Sequence, residues 1–170
     1  MAFCSAQSSY RIAIEKSRIS FKISHMTFVS VAGEFHRFSG HFILNGATVE
    51  SLESKVEVQS IDTGDNVRDE SLKGQAYLDT NQYPTMNFVS TQIETTPDAK
   101  IMMGKLEIKG VEKQISMPFK YHFTHKTKEL SIKISTKISR ADYKLDFGPM
   151  DILIGDTIKI EMELIGIKEK

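Results

Sequence analysis

Apolar and polar residues alternate with period two over most of the chain. Ile19, Phe21 and Ile23 alternate with Ser20, Lys22 and Ser24, and Ile115, Met117, Phe119, Tyr121 and Phe123 with mostly polar neighbours. Leu130, Ile132, Ile134 and Ile138 alternate with Ser131, Lys133 and Ser135, and Ile158, Ile160, Met162 and Leu164 with Lys159, Glu161 and Glu163. Such alternation marks half-buried strands. One apolar and one charged face, repeated many times, predicts antiparallel strands with one side wet. Turn residues punctuate the strands. Asn45-Gly46 is a hairpin signal, and Gly110 to Lys113 is expected to separate a strand ending at Ile108 from one beginning at Gln114. His125 to Glu129 separates two more, and Gly155-Asp156 opens the last. Eight or nine strands joined by short connections predict an all-β meander closed into a barrel or sandwich, which removes open sheet edges.

The alternation stops between Asp62 and Pro84. Asn66 to Lys73 reads as a short helix, with Asn66 as its cap, Asp69 and Glu70 in its first turn and Gly74 at its end. Asn81-Gln82-Tyr83-Pro84 then turns the chain back into a strand. A long non-strand connection in a compact domain is usually functional or mobile.

Composition narrows the function classes. At 170 residues the chain is expected to form one domain. Lys plus Arg and Asp plus Glu both number 22, so there is no basic surplus for nucleic acid or for an anionic membrane surface. The single cysteine, Cys4, excludes an intramolecular disulfide and a cysteine metal cluster. No run approaches the ~18 apolar residues of a spanning helix. Residues 1–6 fit the remnant of a cleaved export signal, with small residues Cys4 and Ala6 before Gln7. A lipidated Cys4 and a vector-derived leader are the alternatives. Residues 7–170 are then the barrel domain, with a periplasmic or secreted location expected.

Candidate chemistry is sparse. His36 and His41 lie five apart, and His122 and His125 straddle a strand end, so neither pair converges with a carboxylate as a metal ligand set would. His25 follows Ile23 on the apolar face, where a polar group needs a partner, and is a candidate ligand contact. Cys4 lacks the fixed base that nucleophilic catalysis requires. No nucleophile elbow or phosphate-binding glycine loop occurs, and Glu161 and Glu163 sit at solvent-face parity. The reading is therefore not an enzyme, with no cofactor and no metal. Arg68-Asp69 is the sharpest polar feature. It serves either to tie the helix to the rim, with Asp62 as a partner, or to place Arg68 or Asn66 against an anionic or polar head group. The structural role is favoured, because capping and rim contacts use the same residues.

Taken together, Ser60-Ile61-Asp62-Thr63-Gly64, Asn66-Val67-Arg68-Asp69, Leu72, Tyr83-Pro84 and Phe88-Val89-Ser90-Thr91 resemble the central signature of the YceI-like family. Ser20-Phe21 with His25-Met26, Gly33-Glu34-Phe35 with Phe38-Ser39-Gly40, Gly104 to Val111, Ser139 to Tyr143 and Ile154 to Ile158 resemble its other segments in order, over about residues 10 to 166. The segment Ser139 to Tyr143 stands where the family has Arg-Ser-Asp-Phe. Departures are Ser71 where the family has a histidine, Tyr77-Leu78 where it has two phenylalanines, and Glu112 and Gln114 in the turn. The resemblance implies a lipocalin-like antiparallel barrel with a helix across one end. It also implies an exported protein holding a long isoprenoid or acyl chain inside.

On that reading the lining is Phe21, Ile23, Phe35, Phe38, Phe42, Val58, Phe88, Met102, Leu106, Phe119, Ile134 and Met162, with Leu72 and Tyr77 turned inward from the helical segment. His25, Asn66, Arg68 and Asp69 stand at the rim as head-group candidates. An eight-stranded barrel can equally be filled by its own side chains, but the 8 Met and 10 Phe suit an adaptable lining. The expected function is non-enzymatic carriage or storage of one long-chain lipid. The alternatives are a packed barrel acting as a protein-interaction or stress-response module, and an enzyme on the bound isoprenoid, which would need a convergent polar set. A homodimer, covering an apolar mouth, and a membrane redox or lipid-handling partner are compatible with the lipid reading.

Overall fold

A computed structural model describes residues 7–25, 29–148 and 153–169. Residues 1–6 with Cys4, and Met26, lie outside the described residues. Eleven strand segments and one helix follow one another along the chain. They are β1 (Gln7–Ile12), β2 (Arg18–His25), β3 (Val29–Phe35), β4 (Phe38–Asn45), β5 (Thr48–Glu57), β6 (Ile61–Asp62), α1 (Asn66–Lys73), β7 (Thr85–Thr95), β8 (Lys100–Ile108), β9 (Val111–Thr124), β10 (Glu129–Ser139) and β11 (Ile154–Lys168).

The hydrogen-bonded order β1-β4-β5-β7-β8-β9-β10-β11 closes on itself because β11 also pairs with β1, and every pairing is antiparallel. This is a closed eight-stranded barrel, where the alternation predicts eight or nine strands in a barrel or sandwich and the resemblance implies the barrel. The extra segments arise because two barrel strands bend. β1 and β2 are halves of one, both paired to β11, with Tyr10 opposite Lys168 and Ile19 opposite Met162. Between them Ala13 donates to the carbonyl of Ile165 (2.7 Å) and the Ser17 hydroxyl accepts from the Ile165 amide (2.9 Å). The turn Ile14–Lys16 can therefore loop outward without orphaning the ladder. β3 and β4 are halves of the second, and their bend is held by Ser60. Its hydroxyl accepts from the Arg37 amide and donates to the Glu57 carbonyl, while its carbonyl accepts from the His36 amide.

Three hairpins and both ends of the described chain gather at one end of the barrel. α1, the β8–β9 turn, the end of β2, the start of β3, the end of β10 and the start of β11 lie at the other. The β8–β9 turn is only Lys109-Gly110, both at positive φ (50° and 71°), so β9 begins at Val111 and not at Gln114. Val111 to Lys113, expected in the connection, is strand.

The inward face carries two cores. At the hairpin end Tyr10, Phe42, Leu44, Leu52, Met102, Leu130, Ile132 and Leu164 are buried together. At the helix end Val58, Ile61, Leu78, Ile108, Ile138, Tyr143 and Leu145 form a second cluster. Two glycines let inward phenylalanines lie flat on the wall. A Cβ at Gly33 would meet the Phe21 ring at 2.5 Å, and one at Gly104 would meet the Phe88 ring at 2.5 Å. Overpacking of this kind costs roughly 1–3 kcal/mol. Gly104→Val is expected to lower stability by that amount in urea denaturation, whereas Lys105→Val, pointing outward beside it, should change it by less than about 0.5 kcal/mol.

Candidate functional site

Between the two cores the wall stays apolar but is not sealed. Phe21 and Ile23 on β2, Phe35 on β3, Met86 on β7, Leu106 on β8, and Ile158, Ile160 and Met162 on β11 face inward and remain partly exposed. Phe35 and Leu106 pack against both clusters, so this band joins the two cores. The rings of Phe21 and Phe35 meet at 5.5 Å. Side chains that are inward yet half-exposed are what an incompletely filled lumen leaves behind.

The expected lining residues divide accordingly. Phe38, Phe42, Phe88, Met102, Phe119 and Ile134 are buried in the hairpin-end core, and Val58 in the helix-end core. Phe21, Ile23, Phe35, Leu106 and Met162 belong to the half-exposed band. Leu72 packs against the helix-end cluster, as expected. Tyr77 lies against Phe147, ring centroids 5.3 Å apart. The buried side chain from its turn is Leu78, which alternation could not single out because the turn has no period. Met86 and Ile160 were also passed over. Both have strand parity in their favour and could have been found by it.

The polar segment over the mouth is a knot around Thr63. The Asp69 carboxylate, in a residue only 6% exposed, accepts from the Thr63 amide (3.0 Å) and hydroxyl (2.6 Å). Arg68 donates through Nε to the same hydroxyl (2.8 Å) and through Nη2 to the Thr63 carbonyl (2.9 Å). Both side chains thus tie α1 to the strand end. Asn66 does not cap the helix. Asp65 does, accepting from the amides of Val67 and Arg68, and Asn66 is exposed as the first helical residue. Asp62 pairs with His36 (2.9 Å) and not with Arg68. That hydrogen bond, with one from the Gly64 amide, holds the Asp62 carboxyl below its ordinary value. His41 lies 3.8 Å from Glu53 across the ladder. The fold supplies both histidines with carboxylate neighbours that their spacing did not reveal. His25 is half-buried at the end of β2, opposite Val29 and Ile154.

No group of three or more His, Cys, Asp or Glu among the described residues could hold a metal. No helix among them is long and apolar enough to cross a membrane. Two clefts combine charged groups of both signs, such as Arg18, Lys22, Glu34 and Lys159, with apolar side chains, Phe21 in one and Phe119, Tyr121, Ile134 and Met162 in the other.

Tyr143 completes the site. It follows Arg140, whose guanidinium donates to the carbonyls of Leu145 (2.8 Å), Gly155 and Ile154 (both 3.2 Å) and pins the crossing into β11. Tyr143 is 1% exposed, and burial, with the Asp142 charge, pushes its phenol from 10.0 up to about 12.

Two outcomes follow from these contacts. Asp69→Ala, leaving the Thr63 donors unpaired, should cost roughly 1–3 kcal/mol and speed proteolysis within residues 62–84. A raised phenol value contributes stability that is fully present below pH 10 and is lost as pH rises towards about 12. Wild type should therefore lose ground to Tyr143→Phe over that interval in paired denaturation curves. Parallel curves would contradict a buried phenol.

The profile of the YceI-like domain family matches residues 10–165. A UPF0312 protein of Shewanella denitrificans is 26% identical over 162 residues, covering 89% of this chain and 82% of that protein. UPF0312 protein VVA0736 of Vibrio vulnificus is 30% identical over 102 residues, 58% of this chain and 54% of its own length. Among solved structures, BcnA of Burkholderia cenocepacia superposes with a TM-score of 0.82 at 23% identity, over 92% of this chain and 99% of that one. A polyisoprenoid-binding domain from Saccharophagus degradans, implicated in plant cell wall breakdown, superposes with a TM-score of 0.77 at 17% identity, over 95% and 99%. With its barrel, its mouth helix and this match over nearly its whole length, the chain belongs to the YceI-like domain family.

Proposed function

We propose that this protein is a non-enzymatic carrier or store for one long isoprenoid or fatty-acyl chain, held inside the barrel. The observation that carries the reading is the half-exposed apolar band, from Phe21 and Phe35 to Leu106, Ile160 and Met162, between two closed cores. A wall of thioethers, rings and branched aliphatics presents no hydrogen-bonding pattern, so it selects for length and apolarity. Each methylene removed from water contributes about 0.8 kcal/mol, enough for a long chain to bind without any charged anchor. The neutral overall charge accords with that, since a cargo gripped by its length needs no recruiting field. Further support is the fold shared with the polyisoprenoid-binding domain of Saccharophagus degradans. The proposal includes export to the periplasm or beyond, where such a chain would have to be shielded from water between membranes.

Lipid extraction of the purified protein followed by mass spectrometry should yield about one long-chain lipid per barrel. Leu106→Trp, which adds bulk in the middle of the band, should abolish that lipid while the strand signal in circular dichroism is unchanged. Wild-type protein free of lipid, and unable to take up an isoprenoid from detergent, would end the carrier reading in favour of a packed interaction module.

A further inference from the structure

Among the described residues two buried side-chain polar atoms have no hydrogen-bond partner, Asn45 Oδ1 and Tyr143 Oη. They sit at opposite ends of the barrel. Asn45 opens the β4–β5 hairpin turn, away from the apolar band. Tyr143 belongs to the helix-end cluster, against which Phe21, Phe35, Leu106 and Ile160 of the band are packed. A buried hydroxyl is normally satisfied, and one left unmade in a dry apolar setting is costly to the empty protein.

We propose that the Tyr143 hydroxyl donates a hydrogen bond to a neutral acceptor oxygen at the head of the cargo, so that the favoured ligand is a long apolar chain ending in a carbonyl. The inference rests on the carrier reading and adds a head-group preference to it. Three features bear on the chemistry. The phenol, with its value raised to about 12, stays protonated at any physiological pH, and its unpaired hydroxyl, closed over by apolar side chains, is a donor that a head group reaches as those side chains part. Its cluster companions Val58, Ile61, Leu78, Ile108, Ile138 and Leu145 are apolar, and the buried Ser60 hydroxyl, between Val58 and Ile61 in the chain, is already engaged with Arg37 and Glu57. The neighbouring cation, Arg140, is engaged with three backbone carbonyls and lies over the Phe147 ring at 5.3 Å. A carboxylate head would thus be buried without a counter-charge, which is unfavourable. A ketone, amide or ester oxygen matches the single neutral donor. A site with an unpaired buried donor also discriminates against an analogue lacking the acceptor more sharply than apolar contact can.

The test is competitive loading of the full chain from detergent. The probes are a linear isoprenoid hydrocarbon, the methyl ketone of equal length and the carboxylic acid of equal length, with occupancy read by native mass spectrometry. Wild type should favour the ketone over the hydrocarbon by about tenfold, the range of one neutral hydrogen bond, and over the acid at neutral pH. Tyr143→Phe should lose the ketone preference while taking up the hydrocarbon as before. Its melting temperature without ligand should equal or exceed that of wild type, because no internal bond is removed. The bound ketone's carbonyl stretch should lie lower in wild type than in Tyr143→Phe. A preference that survives in Tyr143→Phe, a preference for the acid, or a marked drop in the variant's unliganded melting temperature overturns the assignment. Hydrocarbon and ketone binding equally to wild type overturns it while leaving the carrier reading intact. Failure of all three to bind overturns both.

Discussion

The double engagement of β11 is the contact on which the molecule depends. This 15-residue strand pairs with β10 along one edge and, along the other, first with β2 and then with β1. The last three pairs, Tyr10 to Ile12 with Gly166 to Lys168, carry this seam to the hairpin end and leave no open sheet edge there. Closure demands that the first strand bend to follow β11 around the wall. The outward turn at Ile14–Lys16, bracketed by the two hydrogen bonds to Ile165, makes the bend without leaving a backbone group unpaired in the interior.

Bending has a second consequence. β2 and β3 swing away from β1 and β4, and the gap left beside β5 is covered by β6, the Val58–Ser60 turn and the segment with α1. The cover brings its own apolar residues and so builds a second core above the first. Hydrophobic burial is thereby split between a floor and a cap, and the strands between them are left with apolar faces that neither core fully uses. The half-exposed band follows from topology more than from the choice of any one residue there.

Most of the local structure was legible in the chain. Period-two alternation located the barrel strands, Asn45-Gly46 the first tight hairpin, and the interruption after Asp62 the helix with its bounds. What failed was of two kinds. Asp65 and Asn66 are equally good caps by chemistry, and the choice between them is made by backbone conformation, with Asp65 extended at φ −140°. Glu112 and Lys113 are polar and exposed on a paired strand, with Lys113 on the same face as its partner Leu106, and a polar run at a strand end looks the same as a loop. The other kind was long-range. His36 with Asp62, Ser60 with the β3–β4 bend, and the burial of Tyr143 join residues that no periodicity relates. The lining was legible as a face. Which part of that face is packed and which part open depends on where the cap sits, and no linear pattern encodes that.

The two ends of the barrel differ in kind. The hairpin end is stopped by a floor of close-packed aromatic and aliphatic side chains, and opening it would mean unfolding the ladder itself. The helix end is fastened by side-chain hydrogen bonds around Thr63 and by the Arg140 clasp, none of which belongs to the ladder of the barrel strands. For the proposed cargo, a closed base and a latched neck would set one direction of filling, apolar tail first, with the other end held beneath the latch and the last part to enter the first to leave. A donor or acceptor of such a chain would then have a single face of this molecule to approach, and would meet the head before the tail.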